Sequence, residues 1–213
     1  MIELDAVTHV VGQGPLRRAV LDDVTLRLEE PRIGVIGANG SGKSTFARLL
    51  NGLVLPTRGS VRVGGLDTGK QGKDVRRLVG FCFTDPDAQI VMPTVREDVA
   101  FGLRRRSMKG PEADAAALEA LARFGLAHLA DSAAHTLSGG EKQLLALCSV
   151  LVTEPAVLVL DEPTTLLDLR NAQRIGEAVR ALPQQVLLVT HHLELLDSYD
   201  RVLVFDEGRV VCD

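Results

Sequence analysis

Hydrophobic and polar residues alternate near the start of the chain, and apolar runs without such alternation follow. Residues 2–7 and 20–30 show the period of two that is typical of half-buried strands. Residues 32–37 form an apolar run that ends in glycine, and 43–53 carry the pattern of a helix. This part of the chain therefore predicts strands, then a glycine loop, then a helix.

The rest of the chain divides into a helical stretch and a return to strands. Further strands are predicted from short apolar runs at 60–65, 77–83, 156–163, 186–190 and 201–205. Alanine- and leucine-rich helical periodicity occupies 94–153, and 168–181 is also helical. Continuous apolar strands that alternate with helices indicate a parallel sheet covered on both faces. We predict one domain, with an α/β core at 1–83 and 154–213 and an inserted helical lobe at 84–153.

Composition narrows the class of protein. The net charge of −4 and the pI near 5.8 argue against a general nucleic-acid binder, which is usually basic. No apolar run approaches the roughly 20 residues of a membrane span. The first ten residues contain acids and no apolar core, so no signal peptide is expected. The three cysteines lack metal-ligand spacing, and we expect reduced thiols in the cytosol.

Residues 37–45, GANGSGKST, are called the phosphate loop here. They follow a predicted strand, open a predicted helix and match G-x-x-x-x-G-K-[ST]. Glycines let backbone amides turn toward phosphate oxygens, and the helix start adds positive potential. We expect Lys43 to reach the β- and γ-phosphates, Ser44 to hold Mg²⁺ and Thr45 to contact the α-phosphate. The predicted nucleotide-binding set is Asn39, Gly40, Ser41, Gly42, Lys43, Ser44 and Thr45. The alternative is a glycine-rich turn that binds nothing.

Two acids follow the apolar strand at 156–163. Asp161 comes at the carboxyl edge of the predicted sheet, where a carboxylate can hold the hydration shell of Mg²⁺. Glu162 points elsewhere, and it is a candidate general base if it lies in line with the γ-phosphate. The alternative is a pair of acids that cap the following helix.

Residues 137–143, LSGGEKQ, are called the signature segment here. Ser138 and Glu141 have capping-box spacing, so the segment predicts the start of a helix. The amides of Gly139 and Gly140 can serve this cap alone, or they can also meet a phosphate.

The order of the phosphate loop, the signature segment, VLVLDEP, TTLLD and a histidine after a strand resembles the ABC-type ATPases over essentially the whole chain. The resemblance implies a P-loop NTPase (RecA-like) α/β core with N-terminal antiparallel β elements and an inserted α-helical signature lobe. It implies ATP and Mg²⁺ as ligands. It also implies that Ser138, Gly139, Gly140 and Glu141 act in trans on ATP held by a partner subunit, so a head-to-tail homodimer has two complete sites.

Two further positions carry over by the same resemblance. TTLLD (164–168) resembles the D-loop, with Asp168 crossing the dimer interface. His191 takes the place of the switch histidine that contacts the γ-phosphate and orients water. His192 stands where that family usually has aspartate and is expected to be a solvated neighbour.

Residues 83–103 are called the coupling segment here. They resemble the energy-coupling-factor subgroup, the ATPases of cobalt, nickel and vitamin uptake. In that subgroup the residue matching Gln89 begins a short helix that meets a membrane subunit. The resemblance implies a transmembrane coupling subunit, a substrate-binding membrane subunit and a place on the cytoplasmic face of the membrane. The short biotin-transport ATPases are most similar. The alternative is a surface loop with an ordinary amphipathic helix.

Two positions depart from the family pattern. Thr84 stands where the Q-loop glutamine is expected, and its hydroxyl reaches less far than an amide. Val10 or Val11 stands near the place of the aromatic residue that stacks on adenine. We therefore expect adenine to rest on aliphatic surface, with comparable hydrolysis of ATP and GTP.

A rival function is a soluble ABC ATPase that acts in DNA or ribosome maintenance. Chromosome-maintenance types carry long coiled coils between the two halves, and translation types fuse two cassettes; this sequence has neither. A third possibility, a regulatory module without turnover, is disfavoured by Lys43, Asp161, Glu162 and His191. We predict an ATPase that powers a membrane importer for a vitamin (biotin) or a transition metal.

Overall fold

The computed structural model describes residues 1–165 and 167–213, and of Arg105 the backbone only. Its contacts divide the chain into two units. The first unit comprises Met1–Phe81, Ala156–Glu162 and Gln184–Asp213, and the second comprises Cys82–Pro155 and Pro163–Pro183. Segment 163–183 thus groups with the second unit, whereas the sequence-based division assigned it to the core. That a single ATPase domain comprises both remains a prediction.

The first unit contains an antiparallel sheet of four strands in the order β2-β1-β4-β5. Their bounds are β1 Ile2–Val11, β2 Arg18–Leu28, β4 Arg58–Val63 and β5 Leu66–Asp67. Alternate residues such as Ile2, Leu4 and Val63 are buried, which explains the period of two in the sequence. β1 and β2 pair through to their joining turn, where Val11 lies opposite Arg18.

The same unit contains most of a six-stranded sheet in the order β10-β9-β3-β8-β7-β6. The bounds are β3 Arg32–Gly37, β6 Val79–Cys82, β7 Val157–Asp161, β8 Gln185–Val189, β9 Arg201–Asp206 and β10 Arg209–Cys212. β3 pairs in parallel with β8 and β9, and β7 pairs in parallel with β8. The carboxyl ends of β3, β7 and β8 therefore meet at one edge, and that edge receives the candidate site.

Two helices of this unit are α1 Lys43–Leu49 and α2 Gly72–Leu78. The prediction of a strand over 77–83 was wrong at its start, because α2 continues through Leu78 and only Val79–Cys82 is strand. The strand begins where β-branched Val79 is followed by buried residues, whereas Arg76 and Arg77 lie in the last turn of the helix. Strand β10 was not predicted.

The second unit is helical. Its helices are α3 Val95–Leu103, α4 Pro111–Arg123, α5 Gly139–Leu151 and α6 Leu169–Arg180. Buried Asp98 of α3 accepts hydrogen bonds from the Val91 and Met92 amides, at 2.9 and 3.1 Å, and from the Ser149 hydroxyl at 2.7 Å. This carboxylate ties the preceding loop to α5, so the acidic character of the coupling segment has a structural cause. None of the helices in the described residues is long and apolar enough to cross a membrane.

Candidate functional site

The phosphate loop leaves β3 at Gly37 and enters α1 at Lys43. No side chain caps α1, and the N-cap Gly42 has a φ of 103°, in the left-handed region that favours glycine. A Cβ on Gly42 would lie 2.6 Å from the Val20 carbonyl oxygen, and one on Gly208 would lie 2.7 Å from the same oxygen. The amide of Gly208 also donates to the Ser41 carbonyl at 3.0 Å. Close backbone packing therefore holds the loop, and no side chain caps the first amides of the helix.

Lys43 lies across the phosphate loop. Its Nζ donates to the carbonyl oxygens of Gly37, at 2.7 Å, and Ala38, at 2.9 Å, and the residue is only 5% exposed. The aliphatic stem is thus buried while the ammonium stays at the loop. A cation in this place suits a bound phosphate chain.

Asp161, the last residue of β7, lies beside α1. The Ser44 hydroxyl donates to Asp161 Oδ1 at 2.8 Å, and Arg48 Nη2 lies 3.5 Å from Oδ2. Because Asp161 is fully buried, desolvation raises its pKa above the ordinary value, against the lowering effects of the Ser44 hydroxyl and the Arg48 guanidinium. Two residues 117 positions apart therefore form one oxygen-rich site.

Glu162 follows at the start of a turn. Its φ is 51°, a left-handed value that costs a non-glycine residue about 1–3 kcal/mol and is often found at functional sites. The Glu162 amide donates to the Val189 carbonyl at 2.9 Å, and one carboxylate oxygen lies 3.6 Å from His191 Nδ1. The backbone thus turns this carboxylate away from Asp161 and toward the histidine that follows β8.

His192 is not merely a solvated neighbour. Its Nδ1 lies 3.1 Å from Glu194 Oε1, and its ring lies 4.3 Å from the ring of His191. The two histidines therefore face different carboxylates: Glu162 for His191 and Glu194 for His192.

A cavity of about 410 Å³ joins these elements. It is lined by Val11, Arg18, Val20, Asn39, Gly40, Gly42, Lys43, Ser44, Thr45 and Glu162. The glycine-rich loop, its lysine and the strained glutamate therefore share one space. Its volume falls within the usual range of small-molecule sites.

In the second unit, the signature segment begins α5 with a complete capping box. The Ser138 side chain accepts from the Glu141 amide, and the Glu141 carboxylate accepts from the Ser138 amide at 2.8 Å and hydroxyl at 2.6 Å. These bonds, the Ser138 hydroxyl first, lower the pKa of Glu141. Within the described chain, the amides of Gly139 and Gly140 make no hydrogen bond. The structure is thus compatible with both roles considered for this segment, the helix cap and contact with a phosphate. The cap is formed, and the amides of Gly139 and Gly140 are available for a ligand.

Asp168 and Gly140 meet the same side chain. Asp168 caps α6 by accepting from the Asn171 amide at 2.8 Å, and it also accepts from Asn171 Nδ2 at 3.1 Å. A Cβ on Gly140 would lie within 2.5 Å of the Asn171 side chain. Asn171 therefore links Asp168 to the start of α5, a link that the sequence motifs did not indicate. Leu166, of the predicted D-loop, lies outside the described residues.

Gln89 does not begin a helix, and that expectation was wrong. It ends a 3-10 turn, Pro86–Ala88, that Asp85 caps. Its side chain turns inward, donating to the Ala146 carbonyl at 3.1 Å and accepting from the Phe83 amide at 3.2 Å. An amide satisfies two backbone groups there, so Gln89 anchors the loop to α5.

Thr84 lies in the same loop, two residues after β6 ends. The side chain of buried Gln143, in α5, donates to the carbonyl of Phe83 at 3.3 Å, and Phe83 directly precedes Thr84. Sequence reasoning missed Gln143 as an anchor of this loop. It also missed Arg48 beside Asp161, which could have been found because Ser44 and Arg48 are four residues apart on one face of α1.

Comparison with known proteins identifies relatives over nearly the whole chain. The family model described as ABC transporter matches residues 21–165. The biotin transport ATP-binding protein BioM of Rhizobium etli is 52% identical over 92% of this chain and 87% of its own length. The energy-coupling factor transporter ATP-binding protein EcfA1 of Caldanaerobacter subterraneus subsp. tengcongensis is 40% identical over 91% and 73%.

A solved structure resembles the chain throughout. It is a dimeric post-hydrolysis state of the ATP-binding cassette MJ0796 bound to ADP and Pi, with a TM-score of 0.90 and 28% identity. The match covers 100% of this chain and 97% of that one. The predicted P-loop NTPase fold class is confirmed.

Proposed function

Because the chain belongs to the ABC transporter family of ATPases, which bind and hydrolyse ATP, we propose that it powers a membrane importer of the energy-coupling-factor type. The cargo is a vitamin, biotin in the first instance, or a transition metal such as cobalt or nickel. The proposal places the chain on the cytoplasmic face of the membrane, with a transmembrane coupling subunit and a substrate-binding membrane subunit. Its resemblance to BioM and EcfA1 supports this class of transporter.

The observation that carries the ATPase part is the contact between Ser44 and Asp161. It brings the phosphate loop and the end of β7 together at 2.8 Å. A hydroxyl and a carboxylate are oxygen ligands of the kind that Mg²⁺ prefers, and a cation there would compensate the burial of Asp161. Ser44 and Asp161 therefore fit the ion and would hold it beside the nucleotide, where its charge would neutralise phosphate oxygens.

Residues of the chain itself carry the other roles in ATP binding and hydrolysis. The phosphate loop amides bind the phosphates, and Lys43 offsets the charge that develops on the γ-phosphate. Glu162 acts as the general base that accepts a proton from the attacking water. His191, whose ring lies near the Glu162 carboxylate, orients that water. The strained backbone of Glu162 supports this role, because strain is kept where geometry matters.

The signature segment completes the site of a second copy. Since one chain carries both halves, a head-to-tail homodimer would bring the free amides of Gly139 and Gly140, with Ser138, to the partner's γ-phosphate. Asp168 would cross the same interface. The dimeric state of MJ0796, a cassette of the same fold, supports the formation of a dimer.

Glu162→Gln tests the assignment of the base. We expect ATP hydrolysis to fall about 10²–10⁴-fold while binding is kept, since the amide cannot accept the proton. An ATP-bound dimer should then accumulate on size-exclusion chromatography. Glu194→Gln is the matched control, because it removes a carboxylate beside His192 rather than His191. Normal hydrolysis by Glu162→Gln would exclude this residue as the base.

The transport function needs a separate experiment. The tagged chain is purified from detergent-solubilised membranes of its native host, and co-purifying proteins are identified by mass spectrometry. A hydrophobic coupling subunit with a substrate-binding membrane protein would support the importer. Recovery with ribosomes or nucleic acid alone would favour DNA or ribosome maintenance and overturn the transport proposal, while the ATPase assignment would stand.

A further inference from the structure

The nucleotide cavity has a second wall besides the phosphate loop. Val11 and Arg18, at the joined ends of β1 and β2, both line it, together with Val20. Val11 and Arg18 are direct cross-strand partners. Directly opposed residues of an antiparallel pair project to the same face, with Cβ atoms about 4.5–5.5 Å apart. The two side chains therefore form a single surface made of an aliphatic group and a guanidinium.

Among the described residues that line the cavity, none is aromatic. The two cations there are Lys43 and Arg18, and the Lys43 ammonium is engaged by the carbonyls of Gly37 and Ala38. The Arg18 side chain is exposed and has no hydrogen bond or ion pair within the described part of the chain. A planar, weakly hydrated guanidinium stacks on π systems, which a lysine ammonium cannot do.

A nucleotide whose phosphates occupy the loop must place its base elsewhere along the same cavity. The aliphatic surface of Val11 and Val20 can exclude water from a base, but it offers no stacking partner. Arg18 offers both a flat face and a positive charge. The cavity therefore offers a guanidinium beside the aliphatic surface that was expected to carry the base.

We propose that Arg18 is the base-recognition residue, with its guanidinium stacked on the purine over a support formed by Val11. The inference rests on the proposed nucleotide site and adds a residue that would contact the base and contribute to affinity. Stacking reads the face of a base rather than its hydrogen-bonding edge, so it tolerates different bases. ATP and GTP should therefore bind with similar affinity, and both should depend on Arg18.

The test compares binding of ATP, GTP and inorganic tripolyphosphate to the purified chain by isothermal titration calorimetry. Arg18→Ala should weaken ATP and GTP by about tenfold each, the scale of one lost stacking contact, and leave tripolyphosphate unchanged. Arg17→Ala is the control with the same loss of charge, because Arg17 is exposed and does not line the cavity. It should bind all three ligands as the unchanged chain does.

Two further variants distinguish the contribution of the planar guanidinium shape to binding from the contribution of its positive charge. Arg18→Lys keeps the charge and should still lose most of the affinity for ATP and GTP. Adding Val11→Tyr to Arg18→Ala supplies an aromatic face at the paired position and should restore binding. Thermal unfolding of each variant shows that it is folded.

Three outcomes overturn the proposal. The first is that Arg18→Ala binds ATP and GTP as the unchanged chain does, and the second is that Arg18→Lys keeps full affinity for both. The third is that Arg18→Ala loses as much affinity for tripolyphosphate as for ATP, which would make Arg18 a phosphate contact. A different result would show that the proposed nucleotide site itself is wrong. If Lys43→Ala leaves the binding of all three ligands intact, the phosphate loop is not the nucleotide site, whatever Arg18 does.

Discussion

Helices α1 and α5 both begin in glycine-containing segments, but they differ in whether a side chain satisfies their first backbone amides. α1 starts at Lys43 after a glycine and has no side-chain cap, whereas α5 starts at Gly139 with a capping box from Ser138 and Glu141. The first four amides of a helix have no partner inside it. Those of α1 are thus left for a ligand, while α5 satisfies part of its own set. The same residue type therefore serves an open site in one unit and a pre-capped helix in the other.

The largest change is expected in the affinity for ATP when the Lys43 ammonium at the start of α1 is removed. Lys43→Ala should weaken ATP binding by about 100-fold, because a charged hydrogen bond to phosphate contributes about 1.5–3 kcal/mol and Lys43 can make more than one. Ser138→Ala should leave the affinity of the same chain for ATP unchanged, since the signature segment is proposed to act on a partner's nucleotide. Calorimetric titration measures both variants. Similar losses in the two would mean that both helix starts face one nucleotide.

A second test places a methyl group at the start of α1. Gly42→Ala should lower the free energy of unfolding by about 1–3 kcal/mol, because its φ of 103° is strained for alanine and the Cβ would approach the Val20 carbonyl. Gly40→Ala is the matched control, with a φ of 82° but no atom within 4 Å of the new Cβ. Urea unfolding should give the smaller loss for Gly40→Ala. Equal losses would show that backbone strain alone, without the close approach, restricts Gly42 to glycine.

The smallest effect concerns the charge of the capped helix. The hydrogen bonds from Ser138 lower the pKa of Glu141 below its ordinary 4.5. Its contribution to stability is therefore present above that value and is lost as the pH falls through the lowered folded pKa. Glutamine can complete the cap without a charge, so Glu141→Gln should be less stable by about 0.5 kcal/mol near neutral pH.

That difference should vanish in acid. Urea unfolding of both chains at neutral pH and at a series of acidic pH values measures the change, and other titrating groups cancel in the comparison. A difference that stays constant with pH would mean that the carboxylate acts through its shape and not its charge.

The parts of the site that lie on one continuous segment were predictable. The strand, the phosphate loop and the helix at Lys43 follow from local pattern, because each residue there meets a local requirement of backbone or charge. The capping box at Ser138 and Glu141 followed from spacing alone in the same way. The fold class also followed, since alternating strands and helices leave few arrangements.

Contacts between distant segments were not predictable. Nothing in the sequence near Gly140 indicates that Asn171 packs against it, and Arg18 reaches the cavity only because the pairing of β1 with β2 places it opposite Val11. Gln89 was misplaced for a related reason: an amide side chain serves equally well on a surface or as a bond to backbone, and only tertiary contact decides. The end of the helix over Gly72–Leu78 was missed because Leu78 also continues the apolar run of the following strand.

The close approach of Gly42 and Gly208 to one carbonyl oxygen, that of Val20, has a consequence for the thermodynamics of binding. The phosphate loop is held between strand β2 and the turn that joins β9 to β10, so its conformational entropy is lost when the chain folds and not when a ligand arrives. Phosphate association should then be a rigid-body event with little ordering of the loop. A side chain at Gly208, a turn residue without chemistry of its own, would loosen that clamp and transfer the ordering cost to each binding event.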